Sequence, residues 1–142
     1  MKTVQGIIEA HGGIEGLKRQ YLRIERPGYM RLVIEYIGTG PRKLPLISVA
    51  HYGEQNGDAM RDPDMTFEVA DDSITGRWRW LPVTFRDDYA GIDQEAIFTD
   101  ETGRVLIRPR LVTELVAFSR TWDRNIKAQG FADAVVTLER VP

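Results

Sequence analysis

The sequence predicts a single α+β domain over residues 1–142. We expect an antiparallel sheet of about four to six strands, with one long C-terminal helix packed on a face and short N-terminal helices. Three observations support this prediction. The length of 142 residues suits one domain. Apolar residues alternate with period two in mid-chain, and they repeat at helical spacing between residues 109 and 128.

The N-terminal segments have helical spacing. Thr3 is suited to a helix start and is followed by apolar residues three and four apart, which predicts a helix over residues 3–11 that Gly12-Gly13 ends. The same spacing resumes at Ile14 and predicts a second short helix that ends at about Arg23.

Period-two alternation predicts the strands of the sheet. The predicted strands are residues 29–37, 44–52, 65–70, 74–85, 92–99 and 134–138. The apolar parity of the fourth strand shifts at Pro82, which predicts a bulge or an edge strand. Asn56-Gly57 predicts a tight turn, and Asp62-Pro63 predicts a second turn.

The strongest secondary-structure prediction is a helix over residues 109–128. Pro109 suits the first turn of a helix, and Gly130 suits its end. Its predicted apolar stripe consists of Leu111, Leu115, Phe118, Trp122 and Ile126.

The composition excludes several classes of protein. The chain has no cysteine, which rules out disulfides, thiolate zinc sites and cysteine nucleophiles. It has only two histidines, too few for a metal site with several imidazole ligands. The net charge of −2 argues against a wholly basic nucleic-acid-binding protein. No apolar segment is long enough to cross a bilayer, so we expect a cytoplasmic protein that needs no cofactor to fold.

An acidic segment over residues 54–72 is the first candidate site, because it holds seven acidic residues and one basic residue, a local charge of −6. Strand alternation assigns Met65, Phe67 and Val69 to the core and leaves the neighbouring carboxylates facing outward. The expected binding residues are His51, Glu54, Gln55, Asn56, Asp58, Asp62, Asp64 and Glu68, joined from the helix by Asn125 and Gln129.

Three interpretations of this segment remain open. Outward oxygen ligands suit Mg²⁺ or Mn²⁺, and the possible ligands are Glu35, His51, Asp58, Asp62, Asp64 and Glu68. A second interpretation is an acidic patch that binds a basic partner. The third is a solvated strand face with turn residues, since Asp, Asn and Gly are common in turns. The oxygen spacing of an EF-hand is absent.

Basic residues of the long helix form a second candidate site. Arg120, Arg124 and Lys127 share one helix face, which suits contact with nucleic-acid phosphates but also suits a solvated face. Trp78 and Trp80 suit either base stacking or core packing. No phosphate loop, nucleophile elbow or dinucleotide-binding fingerprint is present.

The mid-chain segment also resembles a known family. The pattern His-Tyr-x-Glu-Gln-Asn-Gly-Asp-x-Met-x-Asp-Pro-Asp-Met-x-Phe-Glu begins at His51, and Gly28-Tyr29-Met30 precedes it. The pattern continues with Phe118, Trp122, Arg124-Asn125 and Gln129-Gly130-Phe131. In these features the chain resembles an uncharacterised domain family of bacterial plasmid, phage and integrative-element proteins. The resemblance implies a mobile-element context and a functional focus at the Gln-Asn-Gly-Asp turn, and it implies no reaction.

The leading functional hypothesis is a non-enzymatic accessory protein that binds a protein partner or itself. Acidic and basic residues occupy different segments of a nearly neutral chain, and such complementary patches favour association. The alternative is a divalent-metal-dependent phosphoesterase or nuclease-like enzyme that uses the acidic segment. A second alternative is nucleic-acid binding through the basic face of the long helix.

Overall fold

The computed structural model describes residues 1–141 and confirms the α+β class. The helices are α1 (Lys2–Glu9), α2 (Gly13–Leu17) and α3 (Pro109–Ala128), and a 3-10 helix covers Phe131–Asp133. The strands are β1 (Gln20–Ile24), β2 (Arg31–Thr39), β3 (Pro45–Gln55), β4 (Asp58–Ala70), β5 (Arg79–Asp87), β6 (Ile92–Glu95), β7 (Ile97–Thr99), β8 (Val105–Ile107) and β9 (Val136–Arg140).

Seven of these strands form one antiparallel sheet in the order β6-β5-β4-β3-β2-β1-β9. The sheet therefore has one strand more than the four to six that the sequence predicts. β7 and β8 form a separate hairpin. The last strand of the chain therefore lies beside the first, and β6 and β9 are the two edges of the main sheet.

The core lies between one face of this sheet and the helices. Met65, Phe67 and Val69 of β4 are buried there, as their alternation predicts. β1, β2 and β3 supply further aliphatic side chains to the same cluster, and Trp122 and Ile126 of α3 pack onto it. We call this the helix face of the sheet and the opposite side the open face. Within residues 1–141, no helix has both the length and the apolar character needed to cross a bilayer.

The long helix begins and ends where the sequence predicts, at Pro109 and Ala128, and Gly130 follows with a φ of 85°. The register shift predicted at Pro82 is also present, because Thr66 pairs with Thr84 but Phe67 pairs with Pro82.

Three predicted elements are wrong in part. The second helix ends at Leu17, and residues 20–24 form β1, in which Leu22 and Ile24 are buried on alternate positions. Residues 74–78 lie before β5 rather than in it, and the strand predicted at 92–99 is divided between two sheets.

The turn predicted at Asp62-Pro63 is absent. These residues lie inside β4, which begins at Asp58, directly after the Asn56-Gly57 turn. Asn56 and Gly57 have φ values of 52° and 84°, as a two-residue hairpin turn of this type requires. Opposite Asp62-Pro63 the pairing of β3 with β4 shifts between Ala50 and Tyr52, and the Asp62-Pro63 peptide bond is cis. The strand thus accommodates the proline at a bulge.

A buried carboxylate ties α1 to α3. Asp123 is 7% exposed and accepts hydrogen bonds from the backbone N–H groups of Thr3 at 3.0 Å and Val4 at 3.2 Å. Those N–H groups belong to the first turn of α1, where no intrahelical acceptor is available. Asp123 therefore caps one helix from another and also places negative charge at a helix N-terminus.

We expect Asp123→Ala to lower the free energy of unfolding by about 2 kcal/mol, because it leaves the buried N–H of Val4 and the partly buried N–H of Thr3 without an acceptor. Asp123→Asn retains one carbonyl acceptor and should lose less. Asp133→Ala, at an exposed position of the 3-10 helix, is the matched control and should change little. Urea unfolding measures all three variants, and equal losses for Asp123→Ala and Asp133→Ala would contradict the assignment.

Candidate functional site

The structure does not gather the predicted acidic-segment residues around one point. His51 projects onto the helix face, where its ring centre lies 5.6 Å from that of Trp122 and 5.4 Å from that of Phe131. Asp64 pairs with Ala50, the residue before His51, and its side chain lies on the open face. Neighbouring residues of a strand point to opposite faces, so the sheet separates His51 from Asp64.

The structure shows His51 holding the backbone before β2 rather than joining a cluster of ligands. Burial lowers its pKa, so the imidazole is neutral at physiological pH. Its Nδ1 lies 3.1 Å from the carbonyl oxygen of Met30, which can only accept a hydrogen bond. The proton of the neutral ring is therefore on Nδ1, and His51 fixes the chain just before β2.

Glu68 is fully buried, contrary to the outward position expected of it. Its carboxylate accepts hydrogen bonds from the backbone N–H of Arg42 at 3.1 Å and of Leu44 at 3.3 Å, and Arg42 Nε donates to it at 3.3 Å. The connection between β2 and β3 therefore folds over Glu68. This carboxylate holds a loop in place and is not open to an added ligand.

The remaining predicted residues lie at different places. Glu54, Gln55, Asn56 and Asp58 are exposed at the tip of the β3–β4 hairpin. Asn125 is exposed on α3. In the described part of the chain, no hydrogen bond joins the side chains of Asn125 and Gln129 to the hairpin turn, and it is the backbone oxygen of Gln129 that accepts a bond from Arg26.

The open face brings two of the predicted metal ligands near each other. Ser48 Oγ donates to Asp64 at 2.8 Å, and Glu35 pairs with Ser48 across β2 and β3. Burial raises the pKa of Asp64, and burial together with the Asp64 charge raises the pKa of Glu35. Burial and the same two carboxylates raise the pKa of Tyr52. Within residues 1–141, no three His, Asp or Glu side chains are placed to hold one metal ion.

Asp62 forms a different acidic pair. Burial, followed by hydrogen bonding and charge repulsion from Asp87, raises the pKa of Asp62 to about 6. Asp87 also accepts a hydrogen bond from the backbone N–H of Ala90 at 3.0 Å, at the start of the connection between β5 and β6. This pair shares a proton more readily than two separate carboxylates would.

The basic residues predicted for nucleic acid, Arg120, Arg124 and Lys127, are exposed on α3. The tryptophans do not form a free platform. The Trp78 and Trp80 rings stack on each other with centres 6.0 Å apart, and Trp80 meets Phe67 edge to face. Both tryptophans pack against the core, as one of the two interpretations expected.

A surface at the base of the β3–β4 hairpin was not predicted. The side chains of Met30 and Tyr89 meet over Gly53, where a Cβ atom would lie 2.6 Å from Tyr89 Oη and 3.3 Å from Met30 Sδ. Tyr89 Oη donates to the carbonyl oxygen of Glu54 at 3.2 Å. Position 53 therefore has no room for a side chain, because those of Met30 and Tyr89 pass over it. A glycine inside a strand was the available sequence signal.

A cleft of about 760 Å³ adjoins this contact, between the 25–31 segment and the hairpin. Tyr29, Met30 and Tyr89 are 50%, 39% and 45% exposed. The Arg31 guanidinium lies 5.5 Å from the centre of the Tyr52 ring. We call the set Tyr29, Met30, Arg31, Tyr52, Gly53 and Tyr89 the hairpin-base surface.

Comparison with known proteins gives a family match that covers most of the chain. A family model described as "Domain of unknown function (DUF6908)" matches residues 2–132. No curated protein and no solved structure matches the chain significantly.

The acidic pair predicts an unusual pH dependence of stability. The pKa of Asp62 is about 6 in the folded protein against an ordinary 3.8, so the folded state binds its proton more tightly. Folding should therefore become less favourable as pH rises through this window. We expect Asp62→Asn to be more stable than the parent protein at pH 7.5 and to lose that advantage at pH 4.

Urea midpoints at the two pH values measure the difference. Asp58→Asn, at the exposed hairpin tip, removes the same charge without an acidic partner of this kind and is the control. An advantage of Asp62→Asn that stays the same at both pH values would count against the shared proton.

Proposed function

We propose that this chain, which belongs to the family of unknown function matched at residues 2–132, is a non-enzymatic accessory protein that binds a protein partner through the hairpin-base surface. We place this role in a mobile-element context, as the sequence resemblance implies. One observation carries the proposal: the partly exposed Tyr29 and Met30 line one cleft, and the partly exposed Tyr89 lies with Met30 over Gly53, which also lines it.

The composition of the surface supports protein binding. Tyrosine, methionine and arginine are enriched in protein interfaces, and aromatic anchors next to a pocket contribute most of the binding energy there. The hairpin-base surface contains three tyrosines, a methionine and an arginine. Isolated exposed apolar residues are normal on a protein surface, but a grouped set of this kind marks an interaction site.

The surface is also rigidly supported. The Tyr29 ring lies 6.3 Å from that of the buried Phe131, which in turn lies 5.4 Å from that of His51. The hydrogen bond of His51 holds the backbone of Met30. Side chains that are already ordered lose little entropy on binding, so this support favours affinity.

Charge suggests the nature of the partner. The cleft itself is balanced in charge, because Glu25 and Glu54 line it together with Arg26 and Arg31. The hairpin tip beyond it, residues 54–58, carries two acidic residues and no basic one. A partner that places basic residues against the hairpin tip, beside an apolar anchor, would match this surface and would associate faster at low salt.

Site-specific photo-crosslinking tests the proposal. We expect a photoreactive phenylalanine analogue at Met30 to give one dominant protein adduct in cells that naturally express the chain. Ile74 is an apolar residue that is 93% exposed and lies outside the hairpin-base surface, so the same analogue there is the control and should give no such adduct.

Competition makes the test specific. Excess unlabelled parent protein should suppress the adduct, whereas a Tyr29→Ala/Tyr89→Ala double variant should not. Adducts that are equal at Met30 and Ile74, or that the double variant suppresses equally well, would overturn the proposal.

A second candidate function is a divalent-metal-dependent phosphoesterase centred on the open face. Its supporting observation is the placement of Glu35 near Asp64: burial raises the pKa of both carboxyls, the Asp64 charge adds to the rise at Glu35, and a bound cation would stabilise the ionised form of both. Two carboxylates and water suit Mg²⁺, which commonly retains several water ligands.

For this candidate we expect 10 mM Mg²⁺ or Mn²⁺ to raise the melting temperature of the parent protein, and Asp64→Asn to abolish the rise. Binding at 100 times the dissociation constant would add about 2.7 kcal/mol of stability. Asp58→Asn is the matched control and should retain the rise. The absence of a rise with either ion in the parent protein would remove this candidate.

A further inference from the structure

The two edges of the main sheet differ in how they are protected. All four residues of β6 are exposed, and its Asp93 and Glu95 carry negative charge. The Glu95 carbonyl oxygen already accepts a hydrogen bond from Arg108 at 2.8 Å. Charge and a short length are the usual means of preventing an edge strand from pairing with another chain.

The β9 edge is open by comparison. Within residues 1–141, β9 pairs with β1 alone. The Val141 N–H donates to the Arg19 carbonyl oxygen at 3.0 Å and so points toward β1. Because backbone groups alternate along an antiparallel strand, the N–H and C=O groups of Val136, Leu138 and Arg140 point away from β1, to the free edge.

An apolar groove lies beside this edge on the helix face. Its volume is about 430 Å³, and Val136 of β9 lines one side of it. The register Leu22↔Leu138 and Ile24↔Val136 shows that alternate β9 side chains share the face of the buried β1 residues. The other walls come from α1 and the segment around the 3-10 helix. They consist mostly of small residues, with Ile7 as the one large apolar residue: Thr3, Gly6, Ile7, Ala10, Ala132 and Ala134.

The rim of the groove is basic. Lys2 and Lys127 line it together with His11, and its lining contains no acidic residue. Glu139, the acidic residue of β9, is directed to Arg23, with which it forms an ion pair at 3.2 Å. The groove therefore combines apolar walls, positive charge and a row of free backbone donors and acceptors.

We infer that β9 and α1 form a peptide-binding groove, which takes an extended segment of a partner protein as an added strand. Backbone hydrogen bonds to Val136, Leu138 and Arg140 would hold the segment, as in other cases of strand addition to a sheet edge. Side chains at every second position face the helix side. The small walls fit valine-sized residues there, and the lysines select Asp or Glu at the adjoining position on that side.

This groove is distinct from the hairpin-base surface. β9 lies at one edge of the sheet beside β1, whereas Gly53 lies on β3, and the two sites share no lining residue. A second copy of the chain is a poorer occupant, because antiparallel pairing of β9 with itself about Leu138 would place the partner's Arg140 opposite Val136, beside the lysine rim. Like charges at such a contact disfavour pairing.

The probe is an octapeptide, acetylated at its N-terminus and amidated at its C-terminus. Its odd positions are all Thr, and its even positions are Val, Glu, Val and Glu in that order. Titrated into the isotope-labelled full chain, it should shift the amide resonances of Val136, Leu138 and Arg140, and those of Gly6 and Ala10 on α1. The same peptide with Lys in place of Glu should bind at least ten-fold more weakly.

Two variants give sharp controls. A Cβ at Gly6 would meet no atom within 4 Å, so Gly6→Leu should fold normally while its side chain fills the groove and abolishes binding. Lys127→Glu should weaken binding at least ten-fold. Arg110→Glu reverses a charge at the opposite end of the same helix and should leave the affinity unchanged.

Four results would overturn the inference. They are no resonance shift at millimolar peptide, shifts confined to residues around Gly53, binding that Gly6→Leu leaves intact, and a dimer in sedimentation that Leu138→Pro dissolves. The second of these would support the hairpin-base surface instead, so the two proposals fail separately.

Discussion

The alternation of side chains along β4 is the constraint on which the rest of the structure depends. Met65, Phe67 and Val69 are at most 1% exposed beneath the helices, so every intervening residue must project to the open face. β4 pairs with β3 and β5 near the middle of the sheet, and its register therefore fixes which face each neighbour buries. A slip of one position would place Asp64 and Glu68 in the core, where an unpaired charge is costly.

One irregularity in this strand decides where polar groups meet. The pairing of β3 with β4 shifts opposite Asp62-Pro63, which leaves His51 among aromatic rings and Asp62 beside Asp87. The carboxylates of the acidic segment therefore lie in separate environments: Glu68 is buried under a loop, Asp62 pairs with Asp87 between β4 and β5, Asp64 lies on the open face, and Glu54 and Asp58 are exposed at the hairpin tip. Regular pairing alone would have kept these residues in line.

The sequence contained enough information for the fold class, the long helix and the faces of β4, because these follow from local spacing. The five residues of β1, Gln20–Ile24, are too few for their apolar spacing to distinguish a strand from a helix, which is why the sequence predicts a helix as far as about Arg23. The sequence does not predict the start of β4 at Asp58, because Asp62-Pro63 has the composition of a turn. The hairpin-base surface joins Met30, Gly53 and Tyr89 from three segments, and no local pattern predicts such a meeting. Glu68 is a case in which strand alternation predicts the correct face of the sheet. The sequence does not predict its burial, because the loop that covers it comes from residues 42–44.

The β3–β4 hairpin is longer than the strands that flank it. β2 pairs with β3 only as far as Tyr52, and β5 pairs with β4 only from Asp64, so the backbone of residues 53–60 pairs only within the hairpin, and the Tyr89 hydroxyl adds one hydrogen bond to the Glu54 carbonyl oxygen. Backbone amides there can open to solvent without unfolding the sheet, whereas those of residues 46–50 are enclosed by strands on both sides. Amide hydrogen exchange should accordingly be faster in the outer half of the hairpin than in its inner half. The outer half can therefore adjust its conformation to a bound molecule, while the inner half remains as rigid as the core.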